Sequence, residues 1–190
     1  MTRRNTILAI VLLFVAIVYF VYYQSGYSLS EERALQRSDY GGMTQSHKQS
    51  YGEDEVVILS NGSRSKVQVV HRKWGFLYKP GTSVEMAPIE GHPSVRYAWF
   101  SMDSASPNGK RLLVFAAESF EPSVKKVIIS NDTLSRPANA KDVNGNASVY
   151  VELNVAQQYG IMRQTVDVEE IGSFVVRAAD ADGRIEAGTR

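Results

Sequence analysis

Cysteine is absent from the 190 residues. That excludes disulfides, thiolate zinc sites, iron–sulfur clusters and a cysteine nucleophile. Histidine is scarce: His47, His71 and His92 are the three, and none stands at i, i+4 to another, the spacing that lets two imidazoles share a metal from one helix face. A surplus of charge is missing as well. The 21 basic residues include Arg3 and Arg4 ahead of the first apolar segment, so 19 face 20 acidic residues in the remainder. A nearly neutral surface gives no electrostatic case for nucleic acid. The nucleophile elbow G-x-S-x-G, the zinc motif H-E-x-x-H and the phosphate loop are absent. No metal, cofactor or catalytic residue is assigned, and the chain reads as a non-enzyme. A pair of glycosidase carboxylates would leave no trace in sequence, because its members meet only in the fold.

Hydrophobic residues make up 44% and charged residues 22%, which is the balance of a globular domain rather than a disordered chain. The length suits one domain with appendages. A cysteine-free extracellular domain fits a bacterial surface better than a eukaryotic one, where small domains lean on disulfides.

The longest uncharged run is Ile7 to Tyr23. At about 1.5 Å per residue it reaches roughly 25 Å, close to the thickness of a hydrocarbon core. The expectation is a transmembrane signal-anchor helix over 7–23, with residues 1–6 as a cytoplasmic tail. Arg3 and Arg4 set the orientation by the positive-inside rule, and Tyr19, Tyr22, Tyr23 and Tyr27 gather at the far interface. The protein is then a single-pass protein of the cell membrane with an extracytoplasmic C-terminal domain. A cleaved signal peptide is the competing reading, with Gly26-Tyr27-Ser28 as its best site. The run contains no G-x-x-x-G dimerisation face.

Residues 24–54 read as a polar stalk. Ser28-Leu29-Ser30-Glu31 fits a capping box for a short helix over about 29–37, and residues 38–52, rich in Ser, Gly, Gln and Tyr, suit a flexible spacer holding His47. Residues 55–190 change to strand patterning. Val56–Leu59 is an apolar run followed by the hairpin signal Asn61-Gly62. Val67 and Val69 alternate. Trp74, Phe76 and Tyr78 alternate ahead of a turn at Lys79-Pro80-Gly81. Val95, Tyr97 and Trp99 share a face. Leu112 to Ala117 is the continuous apolar run of a strand buried on both sides. Further alternations run through Val127 and Ile129, through Val149, Val151, Leu153 and Val155, through Val166 and Val168, and through Phe174, Val176 and Ala178. Nine or ten short strands without 3.6-residue periodicity predict an all-β, antiparallel sandwich.

The segment from Phe174 to Ile185, in which an alternating strand runs into Asp180-Ala181-Asp182-Gly183, resembles the closing hairpin of bacterial immunoglobulin-like domains. The whole layout resembles small N-terminally anchored proteins of Gram-positive bacteria. The resemblance implies an immunoglobulin-like extracytoplasmic β-sandwich with an interaction or sensing role, and it implies no catalytic residue. Asp180-x-Asp182-Gly183 is a hairpin turn on the preferences of Asp and Gly rather than a calcium loop, which needs further oxygen ligands and a distal glutamate.

One stretch could carry a ligand surface. Lys66, Arg72 and Lys79 lie around Trp74, Phe76 and Tyr78, with His71 and Lys73 among them and a second aromatic group, Tyr97, Trp99 and Phe100, nearby in sequence. The bland reading makes these aromatics core and the bases an exposed edge. The functional reading makes them an aromatic and basic surface for a glycan, a cell-wall polymer or an envelope protein, and it requires Trp74 to be exposed. The main expectation is a membrane-anchored interaction or sensory module. Polymer or glycan binding through this surface is the alternative, and an envelope-acting enzyme is the third.

Overall fold

The computed structural model describes residues 3–36, 42–102 and 109–189, and within them not the side chains of 3–4, 21–23, 187 and 189. A helix, α1 (Arg3–Gln24), is followed by the short α2 (Glu31–Gln36). Four strands come next: β1 (Thr44–Tyr51), β2 (Asp54–Ser60), β3 (Ser65–Lys73) and β4 (Leu77–Glu85). Then follow β5 (Ala87–Ile89), β6 (His92–Ser101), β7 (Lys110–Ser119) and β8 (Lys126–Ser130). The short α3 (Ala140–Gly145) precedes β9 (Tyr150–Asn154), β10 (Tyr159–Asp167), β11 (Val175–Ala179) and β12 (Ile185–Thr189). The strands form three four-stranded sheets, in the orders β1-β2-β3-β4, β10-β7-β6-β5 and β12-β11-β8-β9. Every pairing is antiparallel.

The alternation along β7 explains how the sheets stack. Successive side chains of a strand point to opposite faces. Leu113, Phe115 and Ala117 join Val127, Ile129, Val151, Leu153 and Val176 of the third sheet. Val114 and Ala116 join Val56, Ile58, Val67 and Val69 of the first. The second sheet is therefore the middle layer, and β7 is apolar on both faces. The outer faces are closed by the short helices. Leu35 of α2 packs on Val57, Leu59 and Val70, and Val143 of α3 packs on Ile128 and Ala179. A buried side chain of this size contributes about 1.5–3 kcal/mol.

Two buried polar clusters fasten this stack, although among the described residues Glu118 Oε2 and Gln68 Oε1 have no hydrogen-bond partner. Glu118 is fully buried, and its Oε1 accepts from Ser65 Oγ at 2.6 Å and Arg96 Nη1 at 3.0 Å, tying the first sheet to the second. Arg177 grips Asp132 with two bonds, at 2.6 and 3.0 Å, and donates to Leu134 O at 2.9 Å, which fixes the loop after β8. Burial pushes the Asp132 carboxyl up, but the bonds from Arg177, Ser130 and the Leu134 N–H outweigh it and hold the group below the usual carboxylate range.

Several expectations are corrected. Among the described residues no helix is long and apolar enough to cross a membrane. The signal-anchor over 7–23, the cytoplasmic tail, the membrane as partner and the single-pass localisation are not upheld, and the resemblance to anchored surface proteins loses its anchor. Arg3, Arg4, Tyr22 and Tyr23, named as interface residues, have side chains outside the described set. The expected polar stalk holds α2 and β1, and β1 pairs along its length with β2. Helix α2 starts later than the capping box implied. Ser30 Oγ accepts from Arg33 N at 3.4 Å, while Ser28 is bridged to Tyr78. Lys48 of β1 reaches Glu31 of α2 at 2.8 Å, and that bond raises the lysine pKa. In place of a two-layer immunoglobulin-like sandwich of about nine strands, the described residues form three sheets with twelve strands. The Lys79-Pro80-Gly81 turn is strand instead, because β4 is an edge where proline costs no ladder bond. A Cβ at Gly81 would lie 2.6 Å from His71 Nε2, so any larger residue there must displace that imidazole.

Replacing Asp132 by Ala is expected to cost about 3–5 kcal/mol in urea unfolding, because it strands the buried Arg177. The depressed carboxyl pKa sets the pH window. Its contribution is complete above the unfolded value of about 3.9 and is lost as pH falls through the lower folded value. The difference between wild type and variant should therefore be constant from neutral pH to about pH 5 and narrow below about pH 4. A difference under about 1 kcal/mol at neutral pH would show that the pair does not hold this loop.

Candidate binding surface

Strands β3 and β4 are joined by three residues, Trp74, Gly75 and Phe76, after the terminal pair Lys73–Leu77. Trp74 has φ 55° and Gly75 φ 79°. Glycine takes that conformation at little cost, whereas an L side chain loses roughly 1–2 kcal/mol there. Burial does not repay the strain, because Trp74 is 70% exposed and Phe76 is 54% exposed. Leu77 beside them is buried and roots the hairpin. Lys73 Nζ stands 5.0 Å from the centre of the Trp74 ring, a cation–π contact worth about 0.5–1 kcal/mol at an exposed site.

The chain leaving α1 completes the surface. Gly26, at φ 79°, turns it out of the helix. The Ser28 N–H then donates to Tyr78 O at 2.7 Å and Ser28 O accepts from Tyr78 N at 2.8 Å, so this segment lies along β4. Lys79 Nζ sits 5.7 Å from the Tyr27 ring centre. The last turns of α1 and the hairpin tip enclose an apolar cleft of about 710 Å³, lined by Phe14, Val18, Tyr19, Tyr27, Trp74 and Phe76 among others. That size falls within the about 300–1,000 Å³ of small-ligand sites.

The six residues named from sequence do not stay together. Trp74 and Phe76 line the cleft, and Lys79 flanks it through Tyr27. Arg72 turns to the β1–β2 connection, donating to Gly52 O at 3.2 Å and lying 3.5 Å from Glu55. Tyr78 packs with the Leu35 cluster under α2. Lys66 sits at the other end of β3, about 25 Å along the strand from Trp74. Lys73, also in that basic group, belongs to the lining, and so does Leu29, which the sequence did not single out. Tyr19 and Tyr27, expected at a membrane interface, line the same cleft. The bland reading holds for Tyr78 and for the second aromatic group. Tyr97 and Trp99 pack on the core, Trp99 edge-on to Phe174 at 4.8 Å, and Phe100 is buried.

The remaining candidates have structural work. His71 Nδ1 meets Asp54 Oδ1 at 2.8 Å, His92 pairs with Glu121, and His47 stacks on Tyr159 at 5.6 Å. Among the described residues no group of three or more His, Cys, Asp or Glu could hold a metal ion. Asp180 Oδ1 accepts from the Arg184 N–H at 2.9 Å, so its carboxylate closes the hairpin turn.

Trp74→Asn relieves the strain while removing little buried area, because asparagine tolerates the left-handed region. Urea unfolding is expected to show unchanged stability or a gain of up to about 1 kcal/mol. A loss above about 2 kcal/mol would show that Trp74 is core after all. Iodide should quench a red-shifted emission component in wild type that the variant lacks.

No protein family, no curated protein and no solved structure matches the chain, and its likeness to known proteins therefore assigns it no function.

Proposed function

We propose that the protein is a non-catalytic binding module that holds a cell-wall polymer or glycan against the Trp74 hairpin. The observation that carries this reading is a tryptophan kept 70% exposed in a left-handed backbone conformation. Glycine or asparagine would serve the turn more cheaply, and a strained, exposed aromatic is the kind of outlier that points from structure to function. Large rigid rings supply contact area at low conformational cost, and the C–H faces of a sugar stack on them. Lys73 and Lys79 would add attraction for anionic groups along the polymer. Their charge stands against ring faces and not against carboxylates, so it stays available.

This reading differs from a membrane-anchored sensory module, which the absence of a spanning helix among the described residues removes. The test is a sedimentation assay of the full chain with insoluble cell-wall polysaccharide. Trp74→Ala is expected to weaken binding about thirtyfold, the effect of deleting a central aromatic anchor worth about 2 kcal/mol. Phe76→Ala should weaken it less, and Lys66→Ala should leave it unchanged. Equal sedimentation of wild type and Trp74→Ala would refute the proposal.

A further inference from the structure

The cleft beside Trp74 asks for a different chemistry from the ring's exposed face. Its walls are carbon. Phe14, Val15 and Val18 come from α1, Leu29 from the segment after it, and Phe76 and Leu77 from the hairpin. A sugar pushed into such walls would lose hydrogen bonds to water without replacing them. A hydrocarbon chain would instead gain with each methylene removed from water. The charge around the cleft has one sign. Lys73 is the single charged residue in its lining, and Lys79 stands beside it over Tyr27. Among the described residues neither lysine has a carboxylate within ion-pair distance.

We propose that this cleft holds the chain of a single-chain anionic amphiphile, with the head group at Lys73 and Lys79. The inference rests on reading the Trp74 surface as a binding surface, and it refines the ligand class. The ligand carries an apolar tail and an acidic head, and any saccharide attached to that head would lie over the outer face of Trp74. The binding is non-covalent: the tail displaces water from the carbon walls, and the acid meets the ammonium group of Lys73 in the lining and that of Lys79 beside it over Tyr27. An uncharged head of the same length would lose one charge-assisted contact, about a tenfold drop in affinity.

Photo-crosslinking of the full chain with a diazirine-bearing palmitate, followed by peptide mapping, tests this. Label is expected on two separate stretches at once, 14–19 of α1 and 74–77 of the hairpin. The carboxylate probe should label about tenfold more than the matching fatty alcohol. The double variant Lys73→Glu, Lys79→Glu should abolish that preference, with circular dichroism confirming its fold. Val18→Trp, which fills the cleft and leaves both lysines in place, should lower labelling by both probes. Label spread evenly along α1 without the hairpin stretch would overturn the proposal, and so would equal labelling by acid and alcohol. Failure here with intact, Trp74-dependent polysaccharide sedimentation would sink the amphiphile alone. Loss of Trp74 dependence in sedimentation would instead sink the polymer reading on which it rests.

Discussion

Strand β7 carries apolar side chains on both faces, with Leu113, Phe115 and Ala117 on one and Val114 and Ala116 on the other. Two further sheets find their cover by packing on it and its neighbours. That demand orders the rest of the structure. The first sheet turns Val56, Ile58, Val67 and Val69 inward and must still cover Val57, Leu59 and Val70 on its back, which α2 does through Leu35. The third sheet repeats the solution with Val143 of α3. Non-directional burial drives the assembly. Its register is set by strand alternation, since a one-residue slip in β7 would exchange its two faces.

The buried polar pairs fasten what hydrophobic burial leaves free. Glu118, Arg96 and Ser65 join the first and second sheets near the β2–β3 connection. Arg177 and Asp132 secure the long connection between β8 and α3. Within the first sheet, the Gln68 amide donates to Gly81 O at 2.9 Å, next to the bulge that lets Pro80 sit on the edge strand. A hairpin anchored this way can hold a residue in an unfavourable conformation at its tip. Trp74 takes up that position, and the chain leaving α1 is held beside it by the paired bonds between Ser28 and Tyr78 of the same edge strand.

Much of this was legible in sequence where one physical signal dominated. The apolar run 112–117 announced a strand buried on both sides, and Asn61-Gly62 announced a hairpin. The alternation Val149–Val155 fell on β9 and its flanks. Legibility failed where the signals were weak or shared. β1 is polar on both faces because it is an exposed edge, so it looked like a spacer. β5 has three residues, too few for a period. A third sheet cannot be told from a second by alternation, because each strand reports only that a face is covered and not by which layer. At the candidate surface, Trp74, Phe76 and Tyr78 alternated like a strand, whereas the first two belong to the turn. The period-two pattern concealed the one conformational feature, a positive φ at tryptophan, that marks the site.

The account stands on Trp74 being presented to a ligand while the stack behind it stays rigid. The chain has two tryptophans, one at the hairpin tip and one, Trp99, packed against Phe174 in the core. Fluorine NMR of the full chain labelled with 5-fluorotryptophan resolves them as two resonances. On titration with soluble cell-wall polysaccharide, the solvent-exposed resonance should shift or broaden while the core resonance stays fixed. Two unchanged resonances at saturating polymer, or movement of the core resonance alone, would contradict the account.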